Sequence, residues 1–159
     1  MKCIMNRAEI RVIKRQLEGY LDYLELAKQA EEKAEELEKR YEAVAGLRCM
    51  PLSKNDSGKN SGLKPDNTTR FLEIFDQQDE LLRQAETYRA KAWRCRRFVE
   101  SLEDERAEYL RMAYLEGRLF KDIGANKSCS APAVSMTIDK CLEAVPSSHA
   151  INFGFLCGA

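Results

Sequence analysis

Two apolar seams, each stepping alternately by three and four residues, constrain this chain more than any other feature. The first places apolar or small residues at Ile10, Ile13, Leu17, Tyr20, Leu24 and Ala27, then at Ala30, Ala34, Leu37, Tyr41 and Val44. The second runs through Phe71, Ile74, Gln78, Leu81, Ala85, Tyr88, Ala92, Cys95, Val99 and Leu102. Such spacing keeps one stripe of a helix facing one way, and that stripe must be buried against another surface. The doubled step of three at Ala27 to Ala30 is a single stammer in the first seam. Asn6 and Glu9 form a capping-box pair ahead of it. Gly46 is the expected stop. A helix from Asn6 to Ala45 spans on the order of 55–60 Å at about 1.5 Å per residue. The second helix is expected from near Asp66 to near Ser101.

Between the seams, residues 46–66 read GLRCMPLSKNDSGKNSGLKPD, without periodicity and rich in Gly, Ser, Asn, Lys and Pro. This composition predicts a mobile linker, long enough for the second helix to fold back on the first. The expectation is therefore an all-α chain with a long antiparallel coiled-coil hairpin over residues 6–101. Ala85 and Ala92 permit close approach, and Gln78 is a polar intrusion of the kind that fixes register. Pairing of the hairpin with a second copy, as a homodimer, stays open. With Arg70 the linker carries about +3, a basic block. A solvated loop is the plain reading of that charge, and an arm grazing phosphates the sharper one.

Composition removes several function classes. Charged residues make up 33% of the chain, yet the formal net charge is zero, so no global field drives it to nucleic acid or membrane. No apolar run approaches the roughly 18 residues of a membrane span, and MKCIMNRAEIRVIKRQ lacks the apolar core of a secretory signal. A cytoplasmic protein with no membrane partner is expected. The six cysteines form no C-x-x-C pair, and the single histidine is His149. This predicts no metal and no cofactor, with reduced thiols serving as small apolar fillers. There is no glycine-rich phosphate loop and no nucleophile with a base nearby in sequence, so no enzyme is expected. Glu31-Glu32 and Glu35-Glu36 read as a solvated helix surface. RAKAWRCRR, residues 89–97, holds five basic residues around Trp93. A solvated face is its default reading, and a phosphate-contacting collar the alternative.

The segment after Ser101 has a different grain. Ser101 with Asp104 gives an S-x-x-D start signal. DERAEYLRMAYLEG predicts a helix with Leu110, Ala113 and Tyr114 inward, stopped at Gly117. RLFKDIGANKSCS predicts a short helix and turn with Phe120 and Ile123 inward. Ser130 is a good N-cap for a third helix, and Pro132 suits its first turn. Val134, Ile138, Cys141 and Leu142 form one buried stripe, and Pro146 ends the helix. Helix, short helix, tight turn and capped helix is the helix-turn-helix order, here over residues 102–145.

EDERAEYLRMAYLEGRLFKDIG, followed by S-x-x-x-V-x-x-x-I, resembles region 4 of sigma-70-type transcription factors. It also resembles the small sigma-like regulators of phages and mobile elements in Gram-positive bacteria, in which a helical hairpin with a polar loop precedes the helix-turn-helix. The resemblance is specific over about Leu102 to Leu142 and looser over Ile10 to Val99. It implies a DNA-binding transcriptional regulator whose partners are double-stranded DNA and RNA polymerase, with residues 131–143 as the recognition helix. Three positions depart from the pattern. Lys127 replaces a usually buried apolar residue, Ser128 replaces the usual turn glycine, and Arg118 stands where a Ser or Thr cap is usual.

The outward face of the third helix is expected to be Pro132, Ala133, Ser135, Met136, Asp139 and Lys140. Guanine readout wants Arg or Lys and adenine readout wants Asn or Gln, so only Lys140 fits. Ser135 offers a weak polar contact, while Ala133 and Met136 suit a thymine methyl. Lys121, Lys127 and the helix N-terminus at Ser130 are the candidate phosphate contacts. Asp104 to Ala159 holds six basic and seven acidic residues, whereas DNA-binding modules are usually basic. The expectation is weak or assisted DNA binding. The competing expectation is a coiled-coil interaction protein whose C-terminal three-helix unit no longer binds DNA. The tail, residues 146–159, is apolar without a helix period. Packing on the module, lack of order and a changed reading frame are all open for it.

Overall fold

The computed structural model describes residues 4–48 and 66–156, with side chains over 4–43 and 70–156. The heart of the expected linker and Cys3, Cys49 and Cys157 lie outside the described residues. Within them the elements are α1 (Arg7–Glu18), α2 (Tyr20–Arg48), α3 (Asp66–Glu100), α4 (Ala107–Leu110), α5 (Phe120–Lys127), α6 (Ala131–Glu143) and α7 (Ser147–Asn152). A π-helical turn, Arg111–Leu115, continues α4. The described chain is all-α, apart from an isolated antiparallel bridge between Ile4 and Pro146. No helix among the described residues is long and apolar enough to cross a membrane.

Local chemistry sets most of the helix ends. The Asn6 side chain accepts from the Glu9 N–H at 2.9 Å, and Glu9 accepts from the Asn6 N–H at 2.8 Å, completing the capping box. The first seam is not carried by one helix, however. The break falls at Gly19, ahead of the stammer, where α1 ends and α2 begins. Gly46 does not stop α2, which runs on to Arg48. A glycine inside a helix costs only about 1 kcal/mol relative to Ala, which the neighbouring turns can absorb.

The chain divides into two compact units, Met1–Glu25 with Tyr88–Ala159, and Leu26–Thr87. Within the second unit, small residues fill the seam: Ala27, Ala30, Ala34 and Ala85 are buried. Tyr41 packs its ring against Phe71 at 5.1 Å and Phe75 at 4.9 Å.

The first unit holds the larger core. Ile10, Ile13 and Leu17 of α1 join Phe98 and Val99 of α3, Leu110, Ile123, and Val134, Ile138 and Leu142 of α6. Each of these is nearly or wholly removed from water. Burying one such side chain is worth about 1.5–3 kcal/mol, so this cluster dominates the unit's stability. Residues 146–156 are not idle: α7 returns to the core and buries Ala150, and Phe155 follows it in. Phe98 meets Phe155 edge-on at 4.9 Å, Phe153 at 5.7 Å and His149 at 5.9 Å.

Three ionisable groups are held neutral inside this core. Burial pushes the Cys95 and Cys141 thiols from an ordinary 9.0 up to about 11. Burial, with Glu18 and Asp139 nearby, pushes Tyr114 from 10.0 up to about 12. A raised folded-state pKa gives stability that is complete below the unfolded value and lost as pH climbs through the folded one. The melting temperature is therefore expected to hold up to about pH 9 and fall steeply between pH 9 and 12, and a flat alkaline profile would contradict this. Below about pH 9 Cys95 and Cys141 should resist thiol labelling until denaturant is added, as mass mapping of the labelled cysteines would show.

Candidate nucleic-acid interface

The region from Ser101 to Glu143 is built from short-range devices, and not all are those the sequence suggests. Ser101 does not cap a helix. Its hydroxyl donates to the Phe98 carbonyl at 2.6 Å and lies 2.8 Å from His149 Nε2. A carbonyl only accepts, so the serine proton is committed to Phe98 and His149 Nε2 must be the donor to Ser101 Oγ. This serine–histidine pair therefore ties α7 to the end of α3 and does not present an activated hydroxyl. Asp104 turns on its neighbour instead. It accepts from the Arg106 backbone at 2.9 Å and from its guanidinium at 2.6 Å, and these bonds hold its carboxyl below the usual range.

The following helix tightens and then loosens. α4 passes into a π turn in which the Glu116 N–H reaches Arg111 O at 3.0 Å. Gly117 ends it with φ +69°. Arg118 makes an ion pair with Glu116 at 2.8 Å, and Leu119 stands as an N-cap without a side-chain bond. Phe120 is 37% exposed, not inward as its pattern suggests, whereas Ile123 is fully buried. Phe120 is the first residue of α5, and the buried residues of that helix are Ile123 and Gly124, a turn further on.

The junction of α5 and α6 is the best-defined part. Ser128 takes the left-handed conformation, φ 57°, the one non-glycine among the described residues to do so. The Cys129 N–H returns to Gly124 O at 2.8 Å. Gly124 has no room for a side chain, because a Cβ there would lie 2.5 Å from the Cys129 carbonyl oxygen. Ser130 Oγ accepts from the Ala133 N–H at 3.3 Å and opens α6, with Pro132 in the first turn. Val134, Ile138, Cys141 and Leu142 form its buried stripe. A serine in the left-handed region is strained by roughly 1–2 kcal/mol. Ser128→Gly should therefore stabilise the chain by up to about 1 kcal/mol once the glycine's extra freedom in the unfolded state is counted, readable as a rise in the denaturant midpoint. A fall would mean that the serine side chain supplies something the backbone strain does not reveal.

The candidate contact residues do not all stand free. Lys121 is exposed on the first turn of α5, and Ser130 and Lys140 are exposed at either end of α6. Met136 is 58% exposed, while Ala133 and Ser135 are half-buried. Lys127 is engaged: its ammonium meets Glu108 at 2.7 Å and lies 5.9 Å from the Tyr109 ring centre. Lys127 thus bridges α5 and α4. Asp139 is also taken, by an ion pair with Lys14 of α1. Sequence offered no sign of that pair, since its members are 125 residues apart. The exposed face of α6 that remains is Pro132, Met136, Lys140 and Glu143. Among the described residues no three His, Cys, Asp or Glu side chains gather where they could hold a metal ion.

No protein-family model, curated protein or solved structure matches this chain.

Proposed function

We propose that this chain is a DNA-binding transcriptional regulator of the sigma region 4-like kind, in which a long antiparallel helical hairpin carries a helix-turn-helix over residues 102–145. In this reading the chain is not catalytic, and α6 is the recognition helix. The observation that carries the reading is the α5–α6 junction. A glycine pressed against the next turn, a left-handed residue and a serine cap together set two helices at a fixed angle, with Ser130 and Pro132 exposed at the start of α6. The Ala133 N–H is taken by Ser130 and Pro132 has none, so this helix start offers a phosphate its dipole more than its donors.

The chemistry of α6 limits how this interface reads bases. Met136 and Ala133 suit thymine methyl groups and Ser135 adds a weak polar contact, while Lys140 comes late in the helix. Lys121 is the free lysine for the phosphate backbone, and Lys127 serves it only by leaving Glu108. Asp139, bound to Lys14, presents less of its charge to a phosphate, but Glu143 does not share that shielding. Affinity then rests on few phosphate contacts and on help from a second copy or from RNA polymerase.

Gel-shift titration at low and moderate salt tests this directly. Retardation at micromolar protein, lost at moderate salt, is the expected result. Lys121→Ala with Lys127→Ala should weaken binding uniformly across sequences and reduce the salt slope by about 1 while Lys127 stays on Glu108, and by about 2 if it leaves. Absence of any shifted band well above micromolar protein, on every duplex tried, removes the reading.

A second reading, a helical protein-interaction module that does not bind DNA, is favoured by one specific feature. Trp93, on the core unit's outer surface, is 62% exposed beside an apolar hollow.

A further inference from the structure

We propose that the groove between the start of α2 and the end of α3 receives an acidic amphipathic helical segment of a partner protein. The groove encloses about 540 Å³. Tyr20 and Leu24 form one wall, Ala90 and Trp93 the other, and Arg89 and Arg96 stand in its lining, which holds no carboxylate. Every element of it belongs to the larger of the two units, so it is a surface of one body.

Three observations argue that something covers it. Leu24 occupies a seam position, yet it is 41% exposed, while every other described seam residue is buried or half-buried. Trp93 leaves most of a large aromatic side chain in water across the groove from it. Trp, Tyr and Arg are the residue types that carry most binding energy at protein interfaces, and all three meet here. An isolated exposed leucine needs no explanation, but an exposed leucine and tryptophan facing one hollow make a contiguous apolar site.

Charge selects the occupant. Of the five basic side chains in residues 89–97, Arg89 and Arg96 line this groove and Arg97 lies over the Trp93 ring, whereas Lys91 and Arg94 line a separate hollow. Arg96 is held by Glu100 at 2.9 Å, an exposed i,i+4 pair of the kind worth little and readily exchanged for a partner's carboxylate. Arginine also matches a carboxylate with two parallel bonds. A nucleic acid fits less well. Base stacking needs an open ring face, and Arg97 already lies over the Trp93 ring, 4.8 Å from its centre. A concave hollow with a leucine wall suits apolar side chains, which a helix delivers at spacings of three and four residues.

Trp93 is the only tryptophan of the chain, so its emission reports this groove alone. The full chain is titrated with synthetic helical peptides that share one leucine stripe and differ only in its flanks, glutamate in one and lysine in the other. The expected result is a saturable blue shift with the glutamate peptide, at least about tenfold tighter than with the lysine peptide and weakening with salt. The Arg89→Glu, Arg96→Glu double variant, checked for an unchanged melting temperature, should reverse that preference. Equal affinity for both peptides, or no emission change with either, overturns the proposal. A blue shift produced by a DNA duplex or single strand and not by the peptides assigns the groove to nucleic acid and overturns it too. So does a shift that appears on concentrating the chain alone, which would make the occupant a second copy. None of these outcomes depends on whether α6 reads DNA.

Discussion

Truncation after Val145 is expected to destabilise the larger unit by roughly 4 kcal/mol or more, enough to broaden or abolish its cooperative melting. The removed residues include Ala150 and Phe155, both buried, and the His149 ring that shares a bond with Ser101. Phe98, now wholly removed from water, would lose three ring neighbours and be laid open. Burying a phenylalanine is worth about 1.5–3 kcal/mol, and each ring pair adds about 0.5–1.5. Phe155→Ala isolates the packing part of this loss and should cost about 3–5 kcal/mol, whereas Ile151→Ala, on the exposed side of α7, should cost far less. Thermal unfolding followed by helical circular dichroism separates the three variants. A truncated chain that melts like the full one would mean that α7 does not dock, and the tail would return to being an appendage.

The tail also marks where sequence stops being informative. PSSHAINFGFLCGA has no helix period because α7 is too short for a period to show. Its ties to the core are made by rings meeting Phe98 from three positions, an arrangement no spacing rule encodes. Helix starts and buried stripes were legible for the opposite reason. The Asn6–Glu9 box, the Ser130 cap and the stripe from Val134 to Leu142 are each decided within one or two turns, where sequence distance and spatial distance agree. Ser101 and Asp104 show how a local signal misleads: both have the chemistry of a helix start, but each found a nearer partner, the Phe98 carbonyl and Arg106. Lys14 with Asp139 joins opposite ends of the chain, and Leu24 holds a seam position yet remains exposed beside the groove. Of the candidate interface, the exposure of Lys121, Met136 and Lys140 follows from helix phase alone. The engagement of Lys127 and Asp139 depends on which helices pack together.

Gly124→Ala sets helix propensity against packing, and the two predict opposite signs. Alanine in place of a helical glycine should stabilise α5 by about 1 kcal/mol if nothing else touches the site. Here the new methyl would lie 2.5 Å from the Cys129 carbonyl oxygen and 3.3 Å from the Ser130 carbonyl carbon, both of them backbone. Backbone cannot rotate aside as a side chain can, so the turn must open. Overpacking of this kind costs about 1–3 kcal/mol and outweighs the propensity gain. The expected result is a lowered denaturant midpoint. If the DNA-binding reading holds, there should also be a loss of DNA affinity beyond what reduced stability explains, because the opened turn re-aims the first turns of α6. Ala125→Gly, on the exposed side of α5, provides the comparison: it should lose about 1 kcal/mol through propensity alone and leave DNA affinity where it was. If Gly124→Ala instead raises the midpoint, the contact between α5 and the turn is looser than its geometry implies, and the fixed angle on which the recognition-helix reading rests goes with it.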